Sequence, residues 1–357
     1  ADYSVPSAQV KFTFNHISLS GIEDLKLDYS AVSTGANLMW SFCYACWVKG
    51  VESYKAAGYH ITMTGTVNSE LRDSFIHDSQ TYGPNNAGIA AYGNGRWGSN
   101  SSAKIENNIF DRVFPGIELQ NSSSGFYVGY NYGHGTMSQA TNGPVTWMFS
   151  DNHGPHDRMN LWEGNVAEMF GSDGYFGGSS HGTVLRNYFT GVNPLFGTVS
   201  NPIRLNRLSY AYNLIGNVLG SSELRSTKYQ ETKDGCGRWP EICNAIYRLG
   251  YPNIGNASLI DNTGMPVPGG MAYPDVKVAD TLLRWGNYDY FNKVAQWNRD
   301  EVPGDIAAPR DRSLPASYVY SIRPPWFGTV PWPPIGPDIV VGDGDASGHV
   351  NRIPAQV

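Results

Sequence analysis

Nine short apolar or alternating segments recur along the 357-residue chain, each with Gly, Asp, Ser or Asn at one fixed point. They are GIEDLKL (21–27), WVKGVES (47–53), SELRDSFI (69–76), AKIENNIF (103–110), FYVGYNYG (126–133), MNLWEGNV (159–166), TVLRNYFTG (183–191), NLIGNVLG (213–220) and LLRWGNYDYF (282–291). Aligned on Asp24, Gly50, Ser74, Asn108, Asn131, Asn165, Asn187 and Asn217, they advance by 26, 24, 34, 23, 34, 22 and 30 residues. The simplest description is a base coil with occasional insertions. A unit this short cannot bury its own apolar face, so units must stack and share one core, as a solenoid does. Asn at the same turn of successive coils can form an internal amide ladder, and it tolerates the left-handed conformation of a sharp bend.

A β-sandwich is the rival architecture. It needs longer alternating strands joined by hairpin signals, and few Asn-Gly or Asp-Gly turns join strands here. The expected fold class is therefore all-β, a parallel β-helix over residues 1–296 with a long excursion at about 221–281. From 297 to 357 the chain turns Pro-rich but keeps many Trp, Tyr and Phe. That mixture predicts an ordered, extended tail with its aromatics packed along the outside of the solenoid.

Composition narrows the function. Charged residues make up only 16%, aromatics 13%, and Gly numbers 41, a balance that suits an extracellular β-rich protein. The net charge of −6 and the lack of a long basic run exclude nucleic acid as the expected partner. No apolar stretch approaches a membrane span. The opening ADYSVPS reads as a mature or trimmed N-terminus. Cys236 and Cys243 bracket a Pro-containing loop that a disulfide would close, which fits an oxidising compartment. Cys43 and Cys46, in an apolar run, read as buried structural residues ahead of a redox or zinc pair.

The coil spacing, the Asn positions, IENNIFDRVFPGIEL, MNLWEGNVAEMFGSDGYFGGSSHGTVLRNYF and LPASYVYSIRPPWFGTVPWPPIGPD resemble bacterial proteins of the pectate-lyase-like superfamily. The resemblance covers nearly the whole chain from about residue 20. It implies a right-handed, three-faced coil, secretion or display at the cell surface, and a polysaccharide as partner. It transfers no catalytic residue, because the Arg-x-Pro-x-x-Arg pattern of the main pectate lyases is absent. Of the polygalacturonase series only Gly-His-Gly at 133–135 is present.

Inserted loops build the working groove of such a fold, while the coils are scaffold. The spacing locates loops at roughly 80–102, 134–158 and 170–182, in consecutive coils. Four of the eight histidines fall between 134 and 181. Candidate catalytic residues are His153, His156, Asp157, Arg158, Asp173 and His181. Tyr82, Arg96, Trp97, Trp147, Tyr175 and Phe176 are candidates for stacking on sugar rings. β-Elimination is the chemistry expected first, ahead of hydrolysis: a Ca²⁺ held by Asp151, Asp157 and Asp173, or a nearby Arg, would neutralise a uronate, with histidines moving protons. Hydrolysis would use two carboxylates from the same aspartates, with Glu118 and Glu163 ranked behind them. A non-enzymatic rod or adhesin that self-associates is the remaining alternative. The plainer readings are that the histidines cap turns, Glu163 belongs to a coil strand, and Arg186 binds a neighbouring coil's carbonyls.

Overall fold

A computed structural model describes residues 16–81, 89–91, 100–137, 148–151, 153–154, 156–174, 177–195, 198–199, 201–224, 228–232, 245–250, 275–344 and 347–357. Among them lie three long sheets of nine, ten and nine strands. Each turn of chain contributes one strand to each sheet in rotation. One coil, for example, supplies Leu161–Glu163 to the first sheet, Val166–Ala167 to the second and Phe170–Ser172 to the third. Every strand then pairs in parallel with its counterparts one coil before and one coil after. This connectivity is consistent with a parallel β-helix. The exceptions sit at the margins. Val294–Gln296 closes the second sheet antiparallel, and Val192–Asn193 pairs with Thr198–Val199 in a small hairpin. The only α-helix among the described residues is Val276–Asp280.

The core fills the inside of the coil. Val128, Trp162, Val184 and Leu214 stack from the first sheet, Phe149 and Phe170 from the third and Phe189 from the second, all fully buried. Burying such side chains supplies the main driving force for stacking the coils.

The amide ladder runs through the turn from the first to the second sheet. The side-chain oxygens of Asn108, Asn131, Asn165, Asn187, Asn217 and Asn287 each accept the backbone N–H of the preceding coil's equivalent residue at 2.9–3.0 Å. From Asn131 onward, each oxygen also accepts the preceding amide's Nδ2–H at 2.8–3.1 Å. Ser74 takes the same place for Val51. One expectation is corrected. The left-handed residue is the one before the ladder amide: Tyr130 (φ 56°), Gly164 (66°), Arg186 (53°) and Gly216 (62°). Asp24 (φ 53°) and Gly50 (62°) belong to that preceding column and are not ladder positions. At Gly164 a side chain would also run into the Tyr130 ring, so glycine is required twice over.

The excursion at 221–281 is also corrected in part. Ala245–Leu249 and Lys228–Glu231 lie in the third sheet, so the coil continues through the excursion. Cys43 and Cys46 are buried as expected but are joined in a disulfide. Cys236 and Cys243 fall outside the described residues.

The Pro-rich segment lies across the outer faces of the first and second sheets. Trp326 and Phe327 pack edge-on against Tyr130, and the Trp332 indole donates to the Tyr130 hydroxyl at 3.1 Å. Glu163 accepts the Tyr130 hydroxyl at 3.0 Å and the Tyr318 amide at 2.9 Å. Arg186 is the main anchor. Its guanidinium forks onto Asp338 with two 2.7 Å bonds and donates to the carbonyls of Pro315 and Ile335. Its acceptors are therefore in the tail, where a neighbouring coil's carbonyls were expected. Arg186→Met leaves these acceptors without their charged donor, at a cost of about 2 kcal/mol. The expected outcome in limited proteolysis is early cleavage within 314–357 while the coil stays intact.

Candidate functional site

The outer face of the third sheet carries the site. Side chains alternate in and out along a strand. In Ile117–Leu119 the two flanking residues belong to the core, so Glu118 points away from it. The same alternation turns Arg204 outward between Ile203 and Leu205, and Arg248 outward between Tyr247 and Leu249. Yet Glu118 and Arg204 are each only 8% exposed, and Arg248 only 4%. Outward side chains this well buried line a recess.

Register gives the recess its shape. Glu118 pairs with Ser150, Ser150 with Gly171, Gly171 with Arg204, and Arg204 with Arg248. With strands about 4.8 Å apart, Glu118 and Arg204 stand roughly 14 Å from each other. Between them the outward positions are Ser150 and Gly171, two of the smallest residues. The outer column thus carries a carboxyl at one end, two small residues in the middle and two adjacent arginines at the other end.

The turn leading out of this sheet closes one side. His153 Nδ1 lies 2.6 Å from Asp173 Oδ2. Burial opposes a charge on His153, but the hydrogen bond and field of Asp173, with Glu118 behind it, outweigh that and hold the imidazole up at about 9. Burial pushes Glu118 up to about 7, with Asp173 adding to the effect, while His153 and the Gln120 amide pull the other way. Near neutrality the site therefore combines a carboxyl that is about half protonated with a charged imidazole hydrogen-bonded to Asp173. Groups held in different protonation states side by side are the arrangement acid–base chemistry requires.

The other predicted residues fall elsewhere. Asp151 and Asp157 are fully buried inside the coil and do not face the groove. Asp151 accepts from Asn160 and Tyr212 at 2.9 Å each, and burial raises it to about 7. Asp157 accepts the Ser123 amide at 2.6 Å, as Asn100 serves Thr66 and Asn160 serves Phe126. Both aspartates thus belong to a second polar seam at this corner, which corrects their assignment to the groove and to Ca²⁺. Asp173 is paired with His153 instead, and no group of three His, Cys, Asp or Glu arranged to hold a metal occurs among the described residues.

His156 and His181 converge on Ser180, each 2.7 Å from its hydroxyl, on the exposed corner beside Arg158. His156 is held below the usual imidazole range by burial and by the charges of Arg158 and His181. Tyr82, Arg96, Trp97, Trp147, Tyr175 and Phe176 lie outside the described residues. Arg204 and Arg248 were missed in the sequence, although period-two alternation in PIRLN and IYRLG marks both as outward.

The buried groups impose a pH dependence on stability. Glu118, Asp151 and Glu168 each sit at about 7 in the fold, burial being the largest cause. They hold protons that the unfolded chain has already lost, so their contribution is complete below the ordinary carboxylate range and disappears as pH rises through 7. His153 loses its contribution in the same direction, through about 9. His60, depressed to about 3 by burial, works oppositely and loses stability as pH falls below the usual histidine range. The expected outcome is a Tm that is highest near about pH 4, falls most steeply as pH rises from there to about 7, and falls more gently from about 7 to 9.

No protein-family model matches the chain, and no curated protein matches it. Among solved structures, it is similar to DFA-IIIase from Arthrobacter chlorophenolicus A6 in complex with DFA-III. That likeness has a TM-score of 0.35 and 11% identity, covering 75% of this chain and 54% of that one. A cysteine-to-alanine mutant of the same enzyme, also with DFA-III, matches at TM-score 0.35 and 13% identity, over 50% and 41%. The chain thus spans about half the length of the structures it matches.

Proposed function

We propose that this protein is a secreted, right-handed parallel β-helix enzyme that cleaves a polysaccharide by acid–base chemistry in the groove between Glu118 and Arg204. The single observation that carries the reading is Glu118: outward-facing, buried, about half protonated near neutrality, and beside the His153–Asp173 pair. Glycosidic bond hydrolysis needs such a donor. Glu118 gives its proton to the glycosidic oxygen as that bond breaks, and a water molecule forms the new bond to the anomeric carbon as Asp173 takes its proton. The small residues Ser150 and Gly171 keep the stretch between Glu118 and Arg204 clear of large side chains, and we place the sugar ring there. The resemblance to the pectate-lyase-like superfamily supports a carbohydrate as substrate, and the Cys43–Cys46 disulfide supports an oxidising compartment.

A second reading, β-elimination, is favoured by one observation. Arg204 and Arg248 stand in register on adjacent strands, a placement that would neutralise a uronate carboxylate. Hydrolysis is preferred because burial keeps a protonated fraction of Glu118 available as a donor near pH 7, while His153 is charged and not free to abstract a carbon-bound proton. The test is incubation with neutral and uronate polysaccharides while following reducing ends and ultraviolet absorbance. Reducing ends without absorbance support hydrolysis, and both together support elimination. Silence on every substrate, with self-assembly in light scattering, would replace the enzyme with a structural rod.

A further inference from the structure

A second recess opens over the outer face of the second sheet, on another side of the coil from Glu118. Its floor is set by register: Tyr132, Val166 and Tyr188 follow one another up the outer column, and the next members, Val218 and Tyr288, are buried with Ile335, Val350 and Ile353 of the tail. Tyrosine and valine alternate coil by coil, so a ring is followed by a hollow and then another ring. Tyr132 and Tyr188 are two strand spacings apart, about 9.6 Å, with Val166 below the gap. A cavity of about 330 Å³ lies there, at the small end of the range for small-molecule pockets.

The column beside it is polar. His134, Glu168 and Thr190 line the cavity, Glu223 stands exposed on the rim, and Gln356 closes it from the tail. His134 is paired with Asp111 at 3.1 Å, and Glu168 accepts the Thr136 amide and hydroxyl, so both side chains are held in place. No Lys or Arg lines the cavity among the described residues, and two carboxyl groups do, which disfavours an anionic ligand. Two tyrosines in the lining, with fixed oxygen acceptors beside them, suit the C–H surfaces and hydroxyls of a sugar.

We propose that this recess binds a single neutral hexopyranose unit, between Tyr132 and Tyr188, as a site separate from the Glu118 groove. It holds a glycan without cutting it. The inference does not rest on the groove's activity.

Titration of the full-length chain with glucose, galactose, mannose and glucosamine, followed by saturation-transfer NMR and calorimetry, tests it. At least one neutral hexose is expected to bind. Glu223→Trp, at an exposed rim position, is expected to weaken that binding at least tenfold by obstructing the mouth, and Tyr132→Ala to do the same by removing one wall. Both variants should keep the wild-type far-ultraviolet circular dichroism and a cooperative melt, and any polysaccharide cleavage should be unchanged in Glu223→Trp. Glu118→Gln should leave hexose binding intact. The proposal is overturned if no neutral hexose binds, if glucosamine alone binds, or if neither variant weakens binding.

Discussion

Glu118→Gln is expected to lower the rate of polysaccharide cleavage by about 10²- to 10⁴-fold, the usual contribution of a general acid, with KM changed only a few-fold. The substitution keeps the shape of the side chain and a partner for Gln120, so the recess stays formed. What it removes is the ability to transfer a proton to a leaving oxygen. The pH dependence follows from the same group. Burial holds Glu118 at about 7, and only the protonated form is active, so the rate should fall as pH rises through that value. Loss of that basic limb in the residual activity of Glu118→Gln would assign it to Glu118. A substrate with a good leaving group, which needs little protonation, should be cut by the variant nearly as fast as by the wild type.

The largest expected effect on stability is at the ladder. Asn165 accepts from the Asn131 amide at 2.9 Å and from its Nδ2 at 3.0 Å, and donates to Val128 and Asn187 at 2.8 Å each. All of these atoms are buried in the turn. Asn165→Ala removes these four buried hydrogen bonds and leaves the Asn131 backbone N–H without its acceptor. Asn131 Nδ2 keeps Ile105, and Asn187 Oδ1 keeps the backbone N–H of residue 165. Each lost bond costs about 1 kcal/mol, and the orphaned N–H more. A net loss of about 4 kcal/mol in denaturant unfolding is therefore expected. Asn298, an exposed cap of a short helix, is the comparison: Asn298→Ala should cost under about 1 kcal/mol. Equal losses at the two sites would contradict the ladder's role.

These predictions rest on features that were unequally legible in the sequence. The ladder from Asn108 to Asn217 was readable because its period survives insertions, which displace loops and leave the shared turn in place. Its offset from the left-handed residue was not, since two adjacent columns have the same spacing. Asp24 and Gly50 therefore aligned with the wrong one. Arg186 stood out as a residue with backbone acceptors, but contact with Asp338, 152 residues away, follows only from the folded tail.

The loop residues singled out in the sequence are placed very differently by the fold. His153 and Asp173 were found by clustering and do meet. Asp151 and Asp157 sat in the same polar loop, and nothing in SDNHGPHD distinguishes a carboxyl that enters the core from one that faces solvent. Glu118 was ranked low because it lies in an apolar strand. That context is what raises its proton affinity, and outward alternation is what makes it available.

Determining the structure of Glu118→Gln soaked with an oligosaccharide of the cleaved polysaccharide tests the central claim most directly. The account predicts a sugar ring over Ser150 and Gly171, its glycosidic oxygen within hydrogen-bonding distance of position 118 and the chain running toward Arg204. An oligosaccharide bound only elsewhere, with this stretch empty, would contradict it.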